Sequence, residues 1–164
     1  MTSAGPGGLR EPAHLVSSRA RLYWTVRALP FWVVAAVVEA VVLVASGAAA
    51  PVTVPVVAVT AVLALGHLIV MPQWRYRVHR WEVTDTAAYT QTGWFTQERR
   101  IAPLARVQTV DVRRGPVEQL FGLANVTVTT ASAKGPIVVH ALDRGEAEYL
   151  VHWLTERTRD GDGT

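Results

Sequence analysis

Between residues 29 and 71 the chain carries two apolar runs, 29–50 and 52–71, divided by Pro51 and holding a single formal charge, Glu39. A run of about 20 apolar residues, rising about 1.5 Å per residue as a helix, matches a hydrocarbon core about 30 Å thick. Each run can therefore cross a bilayer once. A chain built this way is a membrane protein, and the pair reads as a helical hairpin with both chain ends on one side.

The arginines beside the spans set that side, because Lys and Arg in short flanking segments resist translocation. Arg10, Arg19, Arg21 and Arg27 stand before the first run against Glu11, Arg75, Arg77 and Arg80 follow the second, and residues 46–54 carry no charge. Both ends are expected in the cytoplasm of a cell whose inner (plasma) membrane holds the hairpin. Trp24 and Trp32 flank the entry point of the first run, and Trp74, Tyr76 and Trp81 follow the second, where amphipathic rings favour the headgroup layer. A cleaved signal peptide ending in the small residues 45–50 fits poorly: about 28 residues precede its apolar region, Glu39 interrupts it, and Pro51 would follow the cut. The second run would anchor the protein in any case.

The sequence pI of 9.8 suggests nucleic acid only until it is divided by segment. Residues 1–28 hold four Arg and one Glu, whereas residues 72–164 hold 11 Arg and Lys134 against 11 acidic residues. The excess charge lies beside the apolar runs, so no nucleic-acid partner is expected. The absence of cysteine excludes disulfides, thiolate metal sites and a cysteine nucleophile. Segment 1–28 is read as a cytoplasmic stretch, with residues 1–13, rich in Gly and Pro, and the tail 159–164 expected to be disordered.

Residues 72–158 form one small domain of strand character. Tyr76, Val78, Trp81 and Val83 alternate with charged residues, with a slip at His79–Arg80 that suggests a bulge. A turn at residues 84–86 precedes a strand over 88–92, Gly93 permits a tight turn into 94–102, and Pro103 ends that segment. Val107, Val110 and Val112 mark another strand, and Pro116 and Gly122 bracket a short helix or turn over 116–120. Strands follow at Val126 and Val128, alternating with threonines, and at 137–142 after Lys134-Gly135-Pro136. Asp143 and Glu146 then open an amphipathic helix with Ala147, Leu150, Val151 and Leu154 on one face. The fold class is a transmembrane α-hairpin followed by an antiparallel β-barrel or sandwich of six or seven strands, capped by a C-terminal α-helix.

The stretch Arg106-Val107-Gln108-Thr109-Val110-Asp111, running on to Leu120-Phe121-Gly122-Leu123 and Val126-Thr127-Val128, resembles the signature of bacterial pleckstrin-homology-like domains of the second type. Two spans followed by one such domain is the order of the small YdbS-like membrane proteins, and the likeness covers about residues 25–158. The resemblance implies a PH-like barrel and little chemistry. It also suggests a partner with similar domains in a membrane complex, tied to envelope stress or resistance to membrane-active peptides.

An enzyme needs convergent polar groups, and His14, His67, His79, His140 and His152 show no metal-ligand spacing. No catalysis, metal or cofactor is expected. Glu39 is the costliest residue, since an acid at the bilayer centre costs about 2.5–3.5 kcal/mol. It is either protonated and hydrogen-bonded within the hairpin or a contact with another membrane subunit; His67 lies about 9 Å off in depth and is a poor partner. Arg75, Arg77 and Arg80 are candidate contacts for anionic headgroups, though topology signalling alone explains them. Leu120, Phe121 and Leu123 are core plugs first and a partner-docking patch second. Thr127 and Thr129 mark a strand whose edge could receive a partner strand. The expected function is a non-enzymatic assembly or scaffold module at the inner face of the membrane, with lipids and either a PH-like membrane protein or its own copy as partners. The alternative is an anionic-lipid sensor.

Overall fold

The computed structural model describes residues 11–93, 95–131 and 135–161, with side chains through Arg157. Helix α1 spans Ala20–Ser46 and helix α2 spans Ala50–Val78. At about 1.5 Å per residue each is about 40 Å long, roughly 10 Å more than a hydrocarbon core. Both helices are long and apolar enough to cross a membrane. Their large side chains, among them Val33, Val41, Val62 and Leu65, are exposed along the hairpin, which suits a lipid surround rather than water.

Gly47, rather than Pro51, ends the first helix. It is left-handed (φ 62°), its N–H donates to the Val44 carbonyl, and the N–H of Ala48 donates to that of Leu43. This pair of bonds is a Schellman motif, and it satisfies carbonyls that would otherwise lie bare. Pro51 falls in the first turn of α2, where its missing N–H has no helical partner to lose.

The strand expected at Tyr76 and Val78 is instead the last turn of α2. The helix continues past Pro72, no Pro or Gly stands between residues 73 and 78, and Arg75 and Arg77 stand where the helix dipole favours cations. The slip at His79–Arg80 is therefore a helix-to-strand junction and not a bulge: the His79 N–H still donates to the Arg75 carbonyl, and the chain is extended from Arg80.

Among the described residues, one strand before the hairpin and six after it form two antiparallel sheets. Strands β1 (His14–Leu15), β2 (Arg80–Val83), β3 (Ala87–Thr92) and β4 (Glu98–Pro103) are ordered β1-β2-β3-β4. Strands β5 (Val107–Arg113), β6 (Leu123–Thr130) and β7 (Ile137–Asp143) are ordered β5-β6-β7. A short helix α3 (Pro116–Leu120) joins β5 to β6, and α4 (Arg144–Gly161) closes the fold. Of the strand expected over 94–102, Trp94 lies outside the described residues, Phe95 and Thr96 form a bend, and pairing begins at Glu98. Lys134 and residues 1–10 and 162–164 lie outside the described residues as well. Residues 11–13 are described: Pro12 is buried, and the Ala13 N–H donates to Glu82. In the expected tail, α4 continues to Gly161.

The core holds Ala147, Leu150 and Leu154 of α4 against Val126, Val128, Val139 and Leu142, with Ala88, Ala102 and Leu104 from the other sheet side. The spacing of the three α4 residues is the amphipathic pattern seen in the sequence. Because β6 is the central strand of its sheet, Thr127 pairs with both Asp111 and Val138. No free edge exists there for an added strand, since both ladders of β6 are occupied.

Candidate functional site: the junction between hairpin and domain

Ala20, Tyr23 and Trp24 recur at i, i+3 and i+4, which places them on one face of α1. All three are buried, packed with Val16, Leu123 and Ala141 and flanked by Tyr76, Trp81, Val117 and Phe121. The foot of the hairpin is thus built into the domain. Ser17 guides the approach: its N–H donates to the Ala141 carbonyl, and its hydroxyl accepts from the Arg19 N–H.

Ala141 is free to accept because β7 bulges beside it. Ala124 pairs with Leu142 and Val126 with Val139, so His140 and Ala141 together face Asn125. Ala141 takes a left-handed conformation (φ 54°), and its N–H donates to the Asn125 side chain. A bulge of this kind turns backbone groups away from the ladder; here Asn125 and Ser17 satisfy them.

A chain of side chains runs from that bulge toward the apolar part of α1. Asn125 Nδ2 and the Tyr23 hydroxyl both donate to Glu118 Oε1, at 3.3 and 2.8 Å, and Arg27 Nη1 donates to the Tyr23 oxygen at 2.6 Å. Burial works to raise the Glu118 pKa, but hydrogen bonds from Tyr23, its own backbone and Asn125, together with nearby Arg27, hold it below the ordinary value. Glu118 is accordingly a carboxylate near neutral pH. Gly115 makes room for it: a Cβ at that position would come within 2.5 Å of Glu118 Oε2.

On the other side of Trp24 lies a second group. The Arg75 guanidinium sits 4.8 Å from the Trp24 ring centroid, and the His79 ring 5.0 Å. His79 is 2 % exposed, with Nδ1 placed 2.8 Å from the Arg75 carbonyl as a neutral donor would be. Burial and then the Arg75 charge push its pKa down to about 4. The ring of His140, 6.4 Å away, is pushed down by burial and Arg75 too. The structure brings together two of the five histidines, but both are neutral at pH 7 and a cation stands beside them. No group of three or more metal-ligating residues occurs among the described residues.

The remaining candidates separate by position. Leu123 is fully buried in the junction, Phe121 is half-buried with its ring 6.4 Å from that of Tyr23, and Leu120 is 80 % exposed. Arg75 is occupied by Trp24 and His79, Arg80 is half-buried on β2, and Arg77 is exposed. Trp24 and Trp81 are part of the junction packing, while Trp74 is 52 % exposed. Trp32 donates to His67 Nδ1 at 2.9 Å, which ties the two helices. Glu39 Oε1 is buried with no hydrogen-bond partner among the described residues, so that oxygen is not satisfied within the hairpin. A cleft of about 350 Å³ between β4 and the start of β7 is lined by Arg99, Arg100, Arg106 and Thr130 among others. Arg99 and Arg100 there bond Gln91 and the Pro136 carbonyl.

The model described as "Bacterial PH domain" matches residues 28–158. The chain belongs to that bacterial PH domain family. It is 34 % identical over 105 residues to the UPF0699 transmembrane protein YdbS of Bacillus subtilis (strain 168), an alignment covering 62 % of this chain and 65 % of that protein. The chain thus spans somewhat less than two thirds of the relative's length. No solved structure matches. The bacterial PH domain here is a YdbS-like membrane protein whose family match begins at residue 28, inside α1. Residues 11–27, which supply β1, Tyr23 and Trp24, complete the domain from before that point.

The sequence signal for this site was faint. Tyr23 and Glu118 are 95 positions apart, and Glu118 lies on a five-residue helix too short for periodicity to read. Pro116 and Gly122 bracket a short helix or turn over 116–120 in the sequence, but nothing there says which of its side chains meets α1.

Proposed function

We propose that the protein is a non-enzymatic assembly module, in which the hairpin crosses the inner membrane twice and holds the bacterial PH domain rigidly at its cytoplasmic face. The observation that carries this reading is Glu39. It lies about three quarters of the way along α1, within the span, with a buried carboxyl oxygen unmatched among the described residues, and an acid within a membrane costs up to about 2.5–3.5 kcal/mol on insertion scales unless something offsets it. A donor on a neighbouring membrane helix, from a second copy or from another PH-domain membrane protein, supplies that offset. The buried joint supports the same reading, because a domain fixed to its helices presents one defined surface to a partner. A role in envelope stress or resistance to membrane-active peptides rests on family resemblance alone.

Crosslinking in native membranes, with wild-type protein and Glu39→Leu, tests the proposal. Loss of a discrete crosslinked species in the variant, at equal membrane level, supports it. An unchanged crosslinking pattern refutes it. A lipid-sensing role for Arg75, Arg77 and Arg80 has less support, because Arg75 is engaged by Trp24 and His79.

A further inference from the structure

We propose that α3 is an interfacial brace: Leu120 rests in the headgroup layer of the cytoplasmic leaflet, held at that depth by the Glu118–Tyr23–Arg27 chain. The inference rests on the hairpin crossing the membrane and is separate from its assembly role. Depth follows from α1 itself. Counted back from Ser46 at about 1.5 Å per residue, a hydrocarbon core about 30 Å thick ends near Arg27. Tyr23, one helical turn further out, then lies about 6 Å beyond that boundary, inside a headgroup layer roughly 5–7 Å deep.

Glu118 is bonded to the Tyr23 hydroxyl and lies 3.9 Å from the Arg27 guanidinium, so the middle of α3 is fixed between those two levels. Beyond Leu120 the chain steps away from the bilayer. Phe121 meets the Tyr23 ring, and Gly122 lies beside the Arg19 side chain. On α3 the inner face is made by Val117 and Glu118, with Phe121 following, all turned into the junction. Leu120 points elsewhere and is 80 % exposed.

A large aliphatic side chain held at this level has a lipid surround available without any further protein. Exposed Leu22 stands at the same height on α1, and exposed Trp74 on α2 offers the ring type that favours this layer. The Arg27 side chain, 67 % exposed while it bonds Tyr23, lies at the boundary where a long cationic side chain keeps its stem in apolar surroundings and its charge among phosphates. The occupant of this surface is therefore the bilayer carrying the hairpin, continuous with the lipid around α1.

The chain has no cysteine, so a single introduced thiol reports one position. Leu120→Cys, Phe31→Cys within the span and Ala105→Cys on the exposed turn after β4 are each labelled with an environment-sensitive dye. Each full-length protein is then reconstituted at low density in phosphatidylcholine–phosphatidylglycerol vesicles containing a shallow spin-labelled lipid quencher. The label at residue 120 should be quenched at least twofold more than that at 105. Equal quenching at 120 and 105, with residue 31 quenched, overturns the brace while leaving the spans intact. No quenching at 31 overturns the membrane-crossing premise instead. Protection at 120 that rises with protein density but ignores the lipid quencher assigns the surface to a second copy and also overturns the proposal.

Discussion

Acid should loosen the joint between hairpin and domain, with His79 carrying much of the effect. Its pKa is lowered from 6.5 to about 4, first by burial and then by Arg75. Between those two values the unfolded chain binds a proton that the folded one refuses, so stability rises with pH across the window and falls as pH drops through it. At pH 5 the unfolded imidazole is protonated and the folded one is not. One and a half pH units below 6.5, at 1.36 kcal/mol each, remove about 2 kcal/mol, and the full difference approaches about 3 kcal/mol below pH 4. For a domain of this size, about 2 kcal/mol corresponds to a fall in Tm of roughly 10 °C.

The groups facing the ring are the Arg75 guanidinium, the Trp24 indole and His140. Of these only His140 titrates nearby, and it pushes stability in the same direction. The assay is thermal unfolding of the full chain in nanodiscs at pH 7.5 and 5.0, read by near-ultraviolet circular dichroism, for wild type and His79→Asn. The amide nitrogen of Asn occupies the place of Nδ1 and can still donate to the Arg75 carbonyl, but it does not titrate. Carboxylates such as Glu118, also stabilising above their lowered pKa, contribute to both proteins alike. The variant should therefore lose about 2 kcal/mol less than wild type on acidification. Parallel losses, within about 0.5 kcal/mol of each other, would refute the burial argument.

Two further outcomes follow from the same contacts. Glu118→Ala leaves the Tyr23 hydroxyl and Asn125 Nδ2 without their acceptor and should cost about 2–4 kcal/mol in denaturant unfolding, with Glu118→Gln recovering part of it; a loss under about 0.5 kcal/mol would show the chain of bonds to be incidental. Gly93 has φ 108°, and a Cβ there would run into the Thr96 carbonyl oxygen. Gly93→Ala should accordingly lower Tm by several degrees or prevent folding, and an unchanged Tm would show that this turn relaxes freely.

Much of the architecture could be read locally. The length of residues 29–71 in apolar side chains specifies two spans because hydrocarbon thickness and helical rise are fixed quantities. Ala147, Leu150 and Leu154 announce α4 because a helix repeats its faces every three to four residues. Val126 and Val128 announce β6 in the same way, by alternation. The end of α2 is ambiguous in the sequence because Tyr76 and Val78 alternate with arginines, a short pattern that a strand and the last turn of a helix both satisfy. β1, two residues long, is below what any periodicity can resolve.

The joint belongs to the tertiary structure alone. Leu120, Phe121 and Leu123 are near neighbours of similar hydrophobicity, yet one is exposed, one half-buried and one enclosed. Their fates depend on α1 arriving from a segment a hundred positions earlier. Trp24 suits a headgroup layer by its chemistry, but Arg75 and His79 enclose it. Composition and period act along the chain and fix which elements form. Burial and pKa depend on which distant surfaces meet, and here that meeting is set by a hairpin whose two feet both rest on one domain.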